Sequence, residues 1–131
     1  MTKYTHPDVL DAALLEIAQN ANSMVALNAY VTAYASIAAA TLATAAMNTG
    51  VSPTAGDDYT LAAGAAPESR KITVGAKSNI NITTGGTAIN VALLDTAGSR
   101  VLHVAECTSL VLVGGQKVNF PTWDIIFTKP T

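Results

Sequence analysis

The sequence predicts a mainly β protein, an antiparallel β-sandwich or jelly-roll-like domain carrying one N-terminal amphipathic α-helix. From Arg70 onward, short apolar alternations recur about every 8–12 residues between Gly- and Asp-containing turns. Leu10, Ala13, Leu14, Ile17, Ala18 and Ala21 instead recur at helical spacing. The chain of 131 residues has room for one domain with one core. Its expected parts are an N-terminal arm and helix (1–23), an alanine-rich segment with a long loop (24–69) and the sandwich strands (70–131).

The helix is expected to start at Thr5 as cap, with Asp8 three residues on and Pro7 in the first turn, where a missing N–H costs nothing. Asp8 and Asp11 suit the positive end of the helix dipole, and Asn20 and Asn22 are candidate terminators. Over residues 24–31 two patterns compete. Val25, Leu27, Ala29 and Val31 alternate as a strand would, whereas Tyr30, Tyr34, Ile37, Ala38 and Leu42 fit a helical stripe. A short strand followed by a partly helical, alanine-rich stretch reconciles them. Residues 48–67, with Gly50, Pro53, Gly56, Gly64 and Pro67, read as a long surface loop, and deleting 52–66 is expected to leave the sandwich folded but weaken association with a particle.

Strands are then expected around Ile72 and Val74, Ile80 and Ile82, and residues 88–94, closed by a turn at Asp95-Thr96-Ala97-Gly98. Two more follow over 100–107 and 110–113. Gly114-Gly115 reads as a two-residue hairpin loop returning residues 117–120. Pro121 breaks the pairing, and Trp123, Ile125 and Phe127 form the last inward face.

Only 12% of residues are charged, about half the usual ~25%, which fits a surface occupied by neighbours. Seven scattered Lys and Arg against nine acids give a net charge of −2, without the basic cluster that nucleic-acid binding needs. No charge occurs between Glu16 and Asp57, and residues 24–47 are long enough to cross a bilayer. Alanine dominates that tract, however, and buries little apolar area, so packing inside the fold or against another subunit is expected, not a membrane span. The single cysteine, Cys107, allows no intrachain disulfide. The first residues lack the layout of a signal peptide, so synthesis in a reducing cytoplasm is expected.

Catalysis needs convergent titratable groups, and few are available. His103 is expected to share a strand face with Val101, Ala105 and Cys107, as a core or interface residue; a metal site with Cys107 would need two more ligands that no motif supplies. The chain has no G-x-S-x-G elbow and no phosphate-binding loop. Asp57-Asp58, adjacent on a loop, are most simply solvated. No enzyme activity, cofactor or metal is expected.

Several stretches form a pattern: Pro7-Asp8-Val9-Leu10-Asp11-Ala12-Ala13-Leu14, Arg70-Lys71-Ile72-Thr73-Val74, and Thr87-Ala88-Ile89-Asn90-Val91-Ala92-Leu93-Leu94-Asp95-Thr96. Ser99-Arg100-Val101-Leu102 and Phe120-Pro121-Thr122-Trp123-Asp124-Ile125 complete it. In this order, over about three-quarters of the chain, it resembles small structural proteins of tailed bacteriophages, best the head decoration (cement) proteins. It departs from them in the alanine-rich middle, where the pattern is more polar and acidic. The resemblance implies a β-sandwich that sits on the capsid surface of the virion, made in the host bacterial cytoplasm. Its partners would be the major capsid protein and copies of itself, as dimer or trimer, with no nucleic acid or membrane. A tail, collar or fibre-associated role, or a small ligand-binding sandwich module, are the alternatives. Expected contact residues are Lys3, Tyr4 and His6 in the arm, Tyr30 and Tyr34 in the alanine-rich segment, and Asp57, Asp58 and Tyr59 in the loop. Tyrosine buries large area while keeping a polar tip, which favours interfaces, although Tyr30 and Tyr34 would equally fill a core.

Overall fold

The computed structural model describes residues 4–50, 58–66 and 69–128. Among the described residues the chain is mainly β, with open antiparallel sheets and two helices. It divides into two compact units, each assembled from segments separate in sequence.

The first unit comprises the described residues of 1–19, 48–76 and 121–131. Helix α1 (Pro7–Asn20) starts one residue later than Thr5 capping would have it. His6 takes the cap: its Nδ1 accepts the Asp8 N–H at 3.2 Å, because Pro7 at the first helical position leaves the Asp8 N–H as the first needing a partner. Leu14, Ile17 and Ala18 are its buried stripe, whereas Leu10, expected in that stripe, is half-buried and Ala13 is exposed. The sheet of this unit runs β3 (Tyr59–Ala63), β4 (Arg70–Val74), β9 (Trp123–Phe127). In β9 Ile125 is buried while Asp124 and Ile126 face out, as the alternation predicts. Arg70 ties α1 to β4, its Nε and Nη2 donating to the Asp11 carboxylate at 2.5 and 3.2 Å. Across the β4–β9 pair, the Thr73 hydroxyl donates to Asp124 at 2.6 Å and holds that carboxyl below its usual range.

Strand β3 corrects the expectation of a plain loop over 48–67. Tyr59 pairs with Val74 and is fully buried, so deleting this segment would remove a core residue and a strand. The dense Gly and Pro around it obscured five strand residues. Gly64 makes room for Ser69 where β3 turns back: a Cβ there would clash with the Ser69 Oγ.

The second unit comprises 20–47 and 77–120. Its main sheet has the order β2 (Thr41–Ala46), β1 (Ser23–Leu27), β6 (Gly86–Asp95), β7 (Arg100–Leu112). The central β1 is buried at every residue. Helix α2 (Tyr34–Ala40) lies on one face, where Ile37 and Ala40 join Val25, Leu27, Ala92 and Leu94 in a cluster. The helix has no side-chain cap at its start. It is held by that packing, by the Asn28 N–H on the Ala40 carbonyl (3.0 Å) and by the Thr41 hydroxyl on the Ile37 carbonyl (2.8 Å).

The alanine-rich stretch is therefore helix and then strand. Alanine favours helices intrinsically, but Ala43 and Ala45 oppose Ala26 and Met24 in β1, and all four are buried. Tertiary pairing overrides local preference here. The small two-stranded sheet of β5 (Lys77–Asn81) and β8 (Lys117–Phe120) completes the unit.

The Gly114-Gly115 turn does not make the expected hairpin. Gly115 alone has positive φ (85°), and the Gln116 N–H returns to the Val113 carbonyl at 3.1 Å. Positive φ at only the second central residue is the type II pattern, whose twist splays flanking strands where I′ or II′ would pair them. β8 accordingly leaves β7 and pairs with β5, aided by the Gly115 N–H on the Ile82 carbonyl at 2.9 Å. The two strands expected over 100–107 and 110–113 are one, β7, interrupted by bulges.

Candidate interaction surface

The expected contact residues scatter over both units. Lys3 and Asp57 lie outside the described residues. Tyr4 is 65% exposed and meets His6 edge to face, ring centroids 6.3 Å apart. Tyr30 is 70% exposed on the connection between β1 and α2, whereas Tyr34 packs against the cluster under α2. Asp58 works within its own unit: its carboxylate accepts the Asn48 N–H at 2.6 Å and its carbonyl accepts the Gly75 N–H at 2.7 Å. Tyr59 is enclosed, and burial raises its hydroxyl above the ordinary value, with the Asp58 charge adding to the effect. Loop chemistry around Asp57-Asp58 suggested an outward tip, but the apolar ring beside it carries the chain inward.

The histidine and the cysteine of β7 stand on a strand whose register is shifted. A bulge in β7 places Val101 opposite Leu94 and His103 opposite Leu93, so Val101 and Val104, not Val101 and His103, pack on the α2 cluster. Burial lowers the His103 pKa and raises that of the Cys107 thiol, which keeps both neutral at pH 7. Asp95 closes the β6–β7 turn. Its carboxylate accepts the Gly98 N–H at 2.9 Å and both the Nε and Nη2 of Arg100 at 3.0 and 2.8 Å. Those bonds, first the Gly98 N–H and then Arg100, lower its pKa. Asn22 clamps the same turn through Thr96, whose N–H it accepts at 3.0 Å. Among the described residues, no group of three His, Cys, Asp or Glu could hold a metal ion. None of the described helices is long and apolar enough to cross a membrane.

Hollows open in the second unit. One, of about 370 Å³, is lined by Thr41, Thr44, Thr83, Thr84 and Thr96 together with Val25 and Leu94. Another, of about 260 Å³, lies between Tyr30 and Thr32 and residues 101–104 of β7. Neither contains a convergent pair of charged groups.

The most unusual surface is the far end of β6 and β7. Val111 is 71% exposed, Leu110 54%, Val113 52% and Ile89 39%. Val111 pairs with Thr87, while Leu110 pairs with Ala88 on the opposite face. Between Glu106 and Lys117 there is no charged residue. Among the described residues β7 has a strand partner on one side only, β6, and is the longest strand of the chain. A long edge presents unpaired N–H and C=O groups, and natural edges are commonly protected by Lys, Pro or inward charges. From Cys107 to Val113 this edge has none of these; its one irregularity is the bulge between Glu106 and Leu110, where residues 107–109 stand against Ile89 alone, so its regular stretch is 110–112. Inside the strand, Asn90 of β6 is 3% exposed and donates to the Ala105 carbonyl at 3.3 Å, so the buried amide is satisfied where the second bulge begins.

Local sequence does not show this surface, because Leu110-Val111-Leu112-Val113 reads as a strand that the Gly114-Gly115 turn returns to residues 117–120. The available signal is four consecutive apolar residues, a run that period-2 alternation with a solvated face does not produce. Comparison of the chain with protein-family models, with curated proteins and with solved structures found no match.

Proposed function

We propose that this protein is a non-enzymatic structural component of a tailed-bacteriophage virion, a decoration (cement) protein that bridges major capsid subunits on the head surface. The observation that carries the reading is the order and spacing of the strand motifs, from Pro7-Asp8 through Arg70-Lys71-Ile72-Thr73-Val74 to Phe120-Pro121-Thr122-Trp123-Asp124-Ile125. The charge-poor composition and the uncharged apolar end of β6 and β7 support it, because both suit a protein covered by neighbours. A sandwich or jelly-roll-like packing of the sheets belongs to the same proposal.

The physics is coherent. A packed genome presses outward, and a protein laid across subunit seams adds buried area that expansion must break. Apolar burial contributes roughly 25 cal/mol per Å², reduced by ordering and association costs. Repetition around a shell makes weak clamps effective through avidity. Quantifying the protein against the major capsid protein in purified particles tests the reading. Near-stoichiometric abundance is expected; a few copies per particle, as for a tail or collar part, would overturn it.

A further inference from the structure

We infer that the C-terminal half of β7 is a self-association edge, at which two copies of this chain join their four-stranded sheets antiparallel about a two-fold axis near Val111. The inference rests on the assembly role proposed above for its setting, whereas the contact itself is measurable on isolated protein.

Backbone comes first. β7 ends the order β2-β1-β6-β7, so one side of it carries N–H and C=O groups with no strand partner among the described residues. The first half of the strand, residues 101–104, is flanked by Tyr30 and Thr32 across a hollow. The second half is bordered by exposed side chains alone: Thr108, Ser109, Leu110 and Val111. An antiparallel edge is complementary to a second copy of itself, since the same alternation of donors and acceptors recurs on rotation by a half turn.

Side chains choose the register. Centring the axis on Val111, in the regular stretch 110–112 beyond the bulge, sets Leu110 against the partner copy's Leu112, with Val111 against itself. Every pair is uncharged, and Glu106 of each copy falls beyond the paired stretch. Centring the axis on Ser109 would set Glu106 opposite the buried Leu112, putting a charge against an apolar site. The Val111 register also brings the exposed Val111, Val113 and Ile89 of both copies into one apolar patch. A partner of opposite charge has nothing to hold here, because residues 107–116 contain no charged group. A second copy needs none.

The test uses the full chain in a Cys107→Ser background. Val111→Cys is expected to form an interchain disulfide readily under mild oxidation, because same-residue pairs meet at the axis, while Ile126→Cys on β9, 52% exposed, is expected not to. Sedimentation equilibrium of the otherwise unchanged chain should show a dimer that Val111→Lys weakens roughly tenfold or more. Circular dichroism of Val111→Lys should match the parent, since the side chain is already exposed. A monomer at all concentrations, equal cross-linking at both cysteines, or a dimer indifferent to Val111→Lys would overturn the inference. The copy-number measurement on particles fails or succeeds independently of these.

Discussion

At its β2 edge the four-stranded sheet is continued by further chain: Ala43 bridges Ile82, and the Leu42 carbonyl accepts the Thr83 and Thr84 N–H groups at 2.9 and 3.3 Å and the Thr83 hydroxyl at 3.1 Å. At its β7 edge nothing among the described residues continues it. Leu42 is 1% exposed, whereas Val111 is 71% exposed. A chain able to close one edge by crossing to a second sheet leaves the other open, and from Cys107 on that edge carries no charge. The contrast teaches that the open edge is a feature of the surface, not a shortage of strands.

The largest effect is expected at the closed edge. Leu42→Ala should cost about 2–5 kcal/mol, since it leaves a cavity under the β2–β5 junction, and the loss should appear as a lower denaturant midpoint. Asn22→Ala, which removes the side chain that holds the Asp95 turn through Thr96, should cost about 1 kcal/mol by the same measurement.

The Asp95 turn also sets a pH signature. Its carboxyl titrates lower in the fold than in the unfolded chain, so the stabilisation it brings is present above its unfolded pKa of 3.8 and is lost as pH falls through the folded value. Asp95→Asn should therefore lose stability at neutral pH and show a shallower decline on acidification, read from denaturation midpoints across pH. The smallest effect belongs to the open edge. Leu110→Ala, at a residue 54% exposed, should change monomer stability by no more than about 0.5 kcal/mol. Equal losses for Leu42→Ala and Leu110→Ala would erase the comparison.

Legibility in the sequence followed the same division. Where a pattern was local and strong, it was readable: the α1 stripe, β4, β6 with its Asp95 turn, and the inward Ile125 of β9. Where tertiary pairing decided, it was not. Ala43 and Ala45 lie in a strand because Ala26 and Met24 oppose them, and no local preference of alanine reveals that. Gly114-Gly115 has the composition of a hairpin, yet φ at Gly115 alone turns β8 toward β5. Tyr59 was legible as an aromatic with interface character but not as a core residue, because the loop composition around it hides β3. The candidate surface was least legible, since edge status is a property of the sheet and not of the strand that occupies it.

Amide hydrogen exchange on the native chain, followed as a function of protein concentration, compares the two edges directly. Ala43 and Ala45 in β2 should be protected at every concentration. The outward amides between Thr108 and Leu112 should exchange fast in dilute protein and become protected as concentration rises. Protection of those β7 amides that is already complete in dilute protein, or that never appears at high concentration, would contradict an open edge that closes on a second copy.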